Sequence, residues 1–409
     1  MRIEQDGRLV TAGFGLDPQI VSGPVHGKTV LFTGFNDGVD RARIYNCIVG
    51  YRAGTAVLNV SNGYVRPGNY GLHIASTYSA SIRAPESARH FPTGVVNLVA
   101  GKVSTSGYGH PYAAIPCGLI VGDGAMCRES PGSHCCGWLT IAGGELHSTP
   151  GDCMIGVGAA EGHVVQMGGT FSHYNTMTAA AGQEKPDGSS VYYCPMIIGA
   201  AGGEGDYVLS NGTAKCEKPL FVGGCPSNRL ELSVCAPFDA KHFPYDRHDA
   251  RGTLEICGGS FKMTSTNEVV VGADGSGTLA FEPAWRDADG ALVTGLFQAG
   301  TVVLSDQTDS TLRFTLGDEG TAFLDVTNRL VVTDAAKLVI DARGVTGRLS
   351  AYTKLASVNA FEGTFDPANI EIAVPAHMEQ EGNVAVFERN GEKGIWLRRA
   401  PQGTMIFIR

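Results

Sequence analysis

The chain has 409 residues and a net charge of −9, with 56 glycines and only 17% charged residues. Its 31 lysines and arginines are spread without forming a basic stripe, so the composition argues against a nucleic-acid partner. No apolar run reaches the roughly 18 residues of a transmembrane helix, and glycine lacks the strict period of collagen. A turn-rich, all-β protein is the class that remains.

Residues 1–46 precede the first repeat and are predicted to form an N-terminal cap, with a strand over Thr29–Phe32. Such a cap covers an end strand, whose unpaired backbone would otherwise favour self-association. The opening residues Met1–Leu9 lack the apolar core of a signal peptide. The repeat architecture nevertheless leads us to expect a secreted or cell-surface protein from which a signal peptide was removed. A cytoplasmic protein is the alternative.

Two short phrases alternate from residue 47 onward. The first is a strand, a Gly-Gly or Asn-Gly break and a second strand, as in Leu139–Leu146, Val164–Phe171, Tyr207–Ala214 and Leu254–Phe261. The second is an apolar triplet that ends in glycine, as in Cys47–Gly50, Leu119–Gly122, Met196–Gly199 and Val269–Gly272. The shortest complete unit is about 25 residues, between Gly144 and Gly169.

A unit of this length, with two or three strands and glycine corners, is typical of one coil of a parallel β-helix. Propeller blades need roughly 40 to 50 residues each, and leucine-rich repeats need an asparagine ladder that is missing here. The sequence therefore predicts an all-β solenoid, with Gly-rich coils over residues 47–284 and a continuation over residues 285–409.

The repeats resemble the passenger domains of autotransporter-type surface proteins, which are right-handed β-helices of the pectin-lyase-like superfamily. Gly199–Thr213 carries the closest similarity, and Thr311–Leu316 and Gly394–Leu397 resemble the end of such domains. The resemblance covers residues 47–409 and implies a right-handed parallel β-helix. It implies no single function, because adhesins, lyases, hydrolases and inert stalks share this architecture.

The C-terminal third carries fewer Gly-Gly breaks and more charge. Trp285–Gly290 is predicted to be a turn, and a small antiparallel β cap is predicted over Val384–Phe387, Gly394–Leu397 and Thr404–Ile408. The caps and the coils together make the predicted fold a right-handed parallel β-helix with an N-terminal cap and a β-rich C-terminal cap.

Eleven cysteines occur between Cys47 and Cys257, without a Cys-x-x-Cys pair. A zinc site formed by Cys127, His134, Cys135 and Cys136 is possible in principle, but structural zinc usually uses paired cysteines. Several cysteines lie in or beside repeat strands, where a thiol fills a tight interior well. We therefore predict mostly buried, reduced cysteines and no metal.

Extra residues beyond the minimal unit indicate where loops emerge. Long loops are predicted at one corner before Gly101, Gly144 and Gly259, whereas the coils ending at Gly169 and Gly212 lack them. Two bare coils between long loops would form a groove roughly 10–15 Å wide, since stacked strands lie about 4.8 Å apart. The predicted groove residues are Glu161, His163, Glu204 and Asp206 on the floor and Arg128, His134, Asp246 and His248 on the walls.

A groove of mixed carboxylates, imidazoles and cations suits a polysaccharide or a cell-surface glycan. The first hypothesis is a non-catalytic scaffold, adhesin or glycan-binding stalk. The second is an enzyme: Lys241 or His242 would be the base of a polysaccharide lyase, with Arg247 neutralising the substrate carboxylate. Glu161 and Glu204 would alternatively be the two carboxylates of a glycoside hydrolase. The coils have a second edge, at the corners between a Gly-Gly break and the next apolar triplet. There His173-Tyr174 and Tyr192-Tyr193 could stack on sugar rings.

No nucleophile elbow, phosphate loop or His-Glu-x-x-His motif is present in the sequence. The Gly-x-Gly strings are predicted to be coil corners, because no helix is predicted after them. The sequence therefore predicts no cofactor.

Overall fold

The computed structural model describes residues 9–13, 23–34, 47–51, 54–66, 71–76, 92–105, 118–124, 135–149, 152–158, 160–174, 195–225, 250–305, 309–347, 349–378 and 382–399. Within these ranges the protein is all-β, with 32 strands and two single-turn 3-10 helices, Pro367–Asn369 and Ala376–Met378. None of the described residues belongs to a helix that is long and apolar enough to cross a bilayer.

The strands follow in chain order. The first eleven are β1 (Leu9–Gly13), β2 (Gly23–Gly34), β3 (Cys47–Tyr51), β4 (Gly54–Arg66), β5 (Leu72–Ser76), β6 (Pro92–Leu98), β7 (Lys102–Ser104), β8 (Gly118–Gly124), β9 (Cys135–Ile141), β10 (Glu145–Ser148) and β11 (Asp152–Gly158). The next ten are β12 (Ala160–Gln166), β13 (Thr170–His173), β14 (Met196–Ala200), β15 (Glu204–Leu209), β16 (Thr213–Cys216), β17 (Leu220–Val222), β18 (Arg251–Ile256), β19 (Gly259–Met263), β20 (Glu268–Val271) and β21 (Ser276–Phe281). The last eleven are β22 (Trp285–Arg286), β23 (Leu292–Val293), β24 (Gly295–Leu304), β25 (Ser310–Thr315), β26 (Phe323–Val332), β27 (Lys337–Asp341), β28 (Tyr352–Val358), β29 (Phe361–Glu362), β30 (Ile370–Ala373), β31 (Asn383–Arg389) and β32 (Glu392–Arg399).

Through the middle of the chain, each strand pairs in parallel with the strand three places further on, which produces three ladders. Ladder A contains the first part of β4 and then β6, β9, β12, β15, β18, β21, β25, β27 and β30. Ladder B contains the second part of β4 and then β7, β10, β13, β16, β19 and the first parts of β24 and β26. Ladder C contains β3, β5, β8, β11, β14, β17, β20 and the second parts of β24 and β26. This arrangement is consistent with the predicted parallel β-helix.

Parallel pairing continues on both sides of the predicted boundaries at residues 46 and 284. β2 pairs in parallel with β4, and β21 pairs in parallel with β25. At the C-terminal end β32 pairs antiparallel with both β28 and β31. Of the predicted turn over Trp285–Gly290, Trp285 and Arg286 form strand β22, and the turn of the β22–β23 hairpin follows them, where Asp287 Oδ1 accepts the Ala291 N–H at 2.8 Å. The division into three domains, with boundaries at residues 46 and 284, remains a prediction.

The core follows from the alternation of residues along each strand. In β12 the burial alternates residue by residue, because successive side chains of a strand point to opposite faces. Buried aromatic rings of ladders A and B meet in the interior: Tyr207 of ladder A contacts Phe171 and Phe261 of ladder B, with ring centroids 5.8 Å apart in both pairs. These stacked apolar columns bury the core between the ladders.

The apolar positions of the repeated phrases predict that Ile141, Val165, Leu209 and Ile256 lie in or beside one interior column, and the structure corrects one of these positions. Ile141, Leu209 and Ile256 are fully buried in one register column of ladder A, as predicted. Val165, however, is half-buried on the outer face, and Gln166 occupies the interior position instead. The bends Ala142–Gly144 and Met167–Gly169 occupy the same place in the repeat, so strict alignment of the phrases places Gln166 opposite Ile141. Val165 lies one residue before that position, and successive residues of a strand point to opposite faces.

The cysteines agree with the prediction in the part of the chain that the structure describes. The side chains of six cysteines are described, and all six are free thiols; Cys135, Cys153, Cys216 and Cys225 are buried. Burial raises the pKa of Cys216 to about 12, so this thiol stays protonated at neutral pH. The four buried cysteines follow the interior of the coils and not a disulfide scheme.

Candidate functional site

The site lies on the outer face of ladder A, where two coils turn tightly. Only residue 159 separates β11 from β12, and three residues, Ala201–Gly203, separate β14 from β15. The segments 125–134 and 226–249 connect ladder C to ladder A immediately before β9 and β18. The two tight corners therefore lie between two insertions at the equivalent corner, in the order that the sequence predicted.

Strand register brings the four predicted floor residues together. Glu161 is directly opposite Glu204, and His163 is directly opposite Asp206, on the paired strands β12 and β15. All four lie on the outer face, because they alternate with the buried residues Gly162, Val164, Gly205 and Tyr207. On the other side of β12, strand β9 places Cys136 opposite Glu161 and Trp138 opposite His163.

His163 is the centre of this cluster. Its Nδ1 atom forms a short hydrogen bond with the Asp206 carboxylate, and its Nε2 atom lies 3.8 Å from Oε2 of Glu161. Hydrogen bonds to Asp206 and then to the Cys136 thiol raise the pKa of His163 to about 10, against an opposing effect of burial. Without a bound ion the imidazole is therefore protonated at neutral pH and positively charged.

Trp138 is a site residue that the sequence reasoning did not select. Its ring stacks on His163 with the centroids 4.0 Å apart and an angle of 26° between the planes. Although it is a large aromatic residue, 41% of its surface is exposed. The period-2 pattern of Cys135–Ile141 was the available signal, because it places Trp138 on the face opposite to Leu139 and Ile141.

The cysteine pair in this region divides between the two faces of β9. Cys135 is buried beside Ala75 and Ala160, whereas Cys136 is half-buried on the outer face. The candidate zinc set that combined Cys135 with Cys136 is therefore wrong, because adjacent residues of a strand point in opposite directions. Instead, possible ligand atoms of Cys136, Glu161 and His163 all lie within 4.8 Å of one another.

Three chemical features thus meet on one surface. An exposed aromatic ring lies beside a hydrogen-bonded imidazole, and carboxylates lie on either side. Such a surface can stack on a sugar ring and accept hydrogen bonds from its hydroxyl groups. The sulfur, nitrogen and oxygen donors can also bind a metal ion.

The remaining predicted site residues lie outside the described residues. They are Arg128 and His134 before β9, and Lys241, His242, Asp246, Arg247 and His248 before β18. The same holds for Tyr192 and Tyr193.

The aromatic pair predicted on the second edge is only partly available to a ligand. His173 is fully buried, with Nδ1 3.2 Å from the Ser148 carbonyl oxygen and from the Ser148 hydroxyl. Its predicted role in stacking on a sugar ring is therefore wrong. Tyr174 remains half-buried at the end of β13, with its hydroxyl 3.2 Å from Nδ1 of His147.

Comparison with known proteins adds no relative to this description. No protein-family model matches the chain, and no curated protein matches it.

Proposed function

We propose that the protein is a right-handed parallel β-helix, secreted or displayed at a cell surface, that binds an extended glycan without cleaving it. Right-handed winding is expected because crossover connections between parallel strands are almost always right-handed. The repeat's resemblance to autotransporter passenger domains of the pectin-lyase-like superfamily supports the location and the architecture.

The observation that carries glycan binding is the exposed Trp138 ring next to the polar cluster of β12 and β15. The ring is 41% exposed and lies beside three carboxylates, a combination that can stack on a sugar ring and bind its hydroxyl groups. The carboxylates of Glu161, Glu204 and Asp206 provide hydrogen-bond acceptors for sugar hydroxyls beside that ring. Stacked strands extend this surface along ladder A, which suits a chain of sugars.

The binding experiment compares two exposed tryptophans. Trp138→Ala is expected to weaken binding to the preferred polysaccharide about tenfold or more, since losing an aromatic contact of roughly 1.4 kcal/mol changes Kd tenfold. Trp285→Ala is the matched control, because Trp285 is 47% exposed on the β22–β23 hairpin, away from the cluster. Affinity electrophoresis against neutral and acidic polysaccharides, followed by calorimetry on the best ligand, provides the measurement.

Equal effects of the two tryptophan variants would contradict a site at Trp138. An absence of binding to every polysaccharide tested would contradict the glycan proposal and leave a scaffold. The circular dichroism spectrum and thermal midpoint of each variant show whether its fold is intact.

An enzyme is the second candidate, because Glu161 and Glu204 face each other directly on neighbouring strands. Strands about 4.8 Å apart bring two carboxylates near the roughly 5–5.5 Å separation that retaining glycosidases use. Release of reducing ends that Glu204→Gln abolishes would favour the hydrolase. Formation of unsaturated products that a Lys241→Ala, His242→Ala double variant abolishes would favour the lyase.

A further inference from the structure

We propose that Cys136, Glu161 and His163 bind a single zinc ion, with Asp206 as the residue that positions the His163 ring. The proposal does not rest on glycan binding, because it concerns donor atoms of the protein alone. It adds a metal site to a chain whose sequence contains no recognisable metal-binding motif.

The first argument is convergence of donors. One sulfur, one carboxylate oxygen and one imidazole nitrogen lie within 4.8 Å of one another, and each residue is half-buried. Strand pairing produces this convergence: Cys136 faces Glu161 across β9 and β12, and His163 follows Glu161 by two residues on the same face. Small rotamer changes are sufficient to bring such donors to a common ion.

The second argument is the orientation of the imidazole. Asp206 occupies Nδ1 of His163, so that Nε2 points toward Glu161, 3.8 Å away. Histidine ligands of zinc almost always donate their other N–H to a carboxylate or carbonyl group, which orients the ring and makes it a stronger ligand. Stacking against Trp138 restricts the ring plane further. The outer-shell arrangement that a zinc histidine requires is therefore already formed.

The third argument is the identity of the donors. A thiolate, an imidazole and a carboxylate together favour zinc or a similar transition metal, whereas calcium and magnesium prefer oxygen donors alone. Three protein ligands leave the fourth tetrahedral position for water or for a ligand atom. The carboxylates of Glu204 and Asp206 add negative charge on the adjacent strand β15, which favours a bound cation.

Solvent exposure distinguishes Cys136 from most of the other described cysteines. Cys135, Cys153, Cys216 and Cys225 are buried, so they are closed to a metal from solvent. Cys257 is the other half-buried cysteine among the described residues, and it bonds to Glu255 with a sulfur–oxygen distance of 3.3 Å. Cys257→Ser is therefore the matched control for Cys136→Ser.

The test uses full-length protein that is fully reduced, stripped with a chelator and then titrated with cobalt(II) as a spectroscopic substitute for zinc. Wild type and Cys257→Ser are expected to show the thiolate-to-cobalt charge-transfer absorption of a tetrahedral site. Cys136→Ser should lose the absorption that arises from this site, and His163→Gln should lose tetrahedral cobalt binding. Equilibrium dialysis with zinc chloride should give one equivalent less for each of these two variants than for wild type.

Asp206 is tested separately, since it is proposed to act through His163. Asp206→Asn should keep the zinc stoichiometry but weaken affinity about 10- to 100-fold, the usual effect of removing an outer-shell partner. Asp206→Glu should restore part of the lost affinity because it returns a carboxylate. A purely structural role for Asp206 would leave the zinc Kd unchanged in both variants.

Two results would overturn the proposal: no charge-transfer absorption in wild type, or an absorption that survives unchanged in Cys136→Ser. A further measurement guards against variants that misfold. Zinc should slow alkylation of Cys136 in the wild-type protein, as followed by peptide mass spectrometry, and leave Cys257 unaffected. Alkylation of Cys136 at the same rate with and without zinc would also contradict the site.

Discussion

Gln166 is an amide in a column of buried apolar residues, and its hydrogen bonds explain how the core accepts it. Its Oε1 atom accepts the Tyr207 hydroxyl at 2.5 Å. Its Nε2 group donates to the carbonyl oxygens of Gly168, Gly169 and Thr213 at 3.2–3.3 Å. The side chain thus joins the bend at Met167–Gly169 to the next coil, and a buried polar group that is fully bonded costs little.

Tyr207→Phe should destabilise the protein by about 1–3 kcal/mol, because it leaves Oε1 of Gln166 buried without a hydrogen-bond donor. Gln166→Leu should also destabilise, since three backbone carbonyl groups lose a donor. The free energy of unfolding should fall less in the double variant than the sum of the two single losses, because both single variants remove the same Tyr207–Gln166 hydrogen bond. Urea unfolding of the four proteins measures the coupling.

Tyr174→Phe is the control, because Tyr174 is half-buried and its hydroxyl contacts His147 near the surface. It should change the free energy of unfolding by less than about 0.5 kcal/mol. Strictly additive effects of Tyr207→Phe and Gln166→Leu would show that the hydrogen bond does not stabilise the core.

At the scale of the strand, a column of glycines lies near the first residues of the ladder A strands. Gly94, Gly137, Gly162, Gly205, Gly252 and Gly277 occupy the same register position in consecutive strands. A Cβ atom on Gly162 would lie 2.1 Å from the Val121 carbonyl oxygen and 2.3 Å from the Gly156 nitrogen. The corner between ladder C and ladder A therefore closes with direct backbone contact, and it aligns Glu161 and His163 beside Cys136.

Gly162→Ala should destabilise the protein by about 3 kcal/mol or more, because backbone atoms of the ladder C strands β8 and β11 would have to move. Gly290→Ala provides the comparison: Gly290 has a φ of +79° with nothing within 4 Å of the added carbon. That variant should cost only about 1–2 kcal/mol, from the left-handed backbone alone. Denaturant unfolding measures both, and equal losses would mean that close packing does not control the corner.

At the scale of the whole molecule, ladder B ends at an antiparallel hairpin. β28 pairs in parallel with the first part of β26, and β32 pairs antiparallel with β28 and buries Ile395 and Leu397. An uncovered parallel edge would present unpaired backbone groups to another copy of the chain. The hairpin therefore covers the edge of β28, so that another copy of the chain cannot pair with it there.

A chain that ends at residue 378 should self-associate, because removal of β31 and β32 exposes the edge of β28. Sedimentation velocity at several concentrations should show species larger than those of the full chain. Val384→Lys in the full chain is the control, since Val384 is 44% exposed and its replacement leaves the pairing intact. A truncated chain with an unchanged sedimentation profile would contradict a covering role for the hairpin.

The repeat unit and the inward residues could be predicted from the sequence alone. Alternation in Leu139–Ile141 and the Gly-Gly breaks are local properties. Because each coil repeats them, the pattern can be recognised even where one coil departs from it. The order of tight corners and insertions followed from counting residues between glycines. The same reasoning placed Glu161, His163, Glu204 and Asp206 on one surface.

Cross-strand register was decided only by the tertiary structure. Gln166 takes the interior position opposite Ile141, and its burial depends on the Tyr207 hydroxyl and the Thr213 carbonyl oxygen of the next coil, which no local pattern shows. His163 and Asp206 are 43 residues apart, and their hydrogen bond depends on two strands aligning in register. The grouping of Cys136, Trp138, Glu161 and His163 needs a third strand as well, so no local pattern could reveal it.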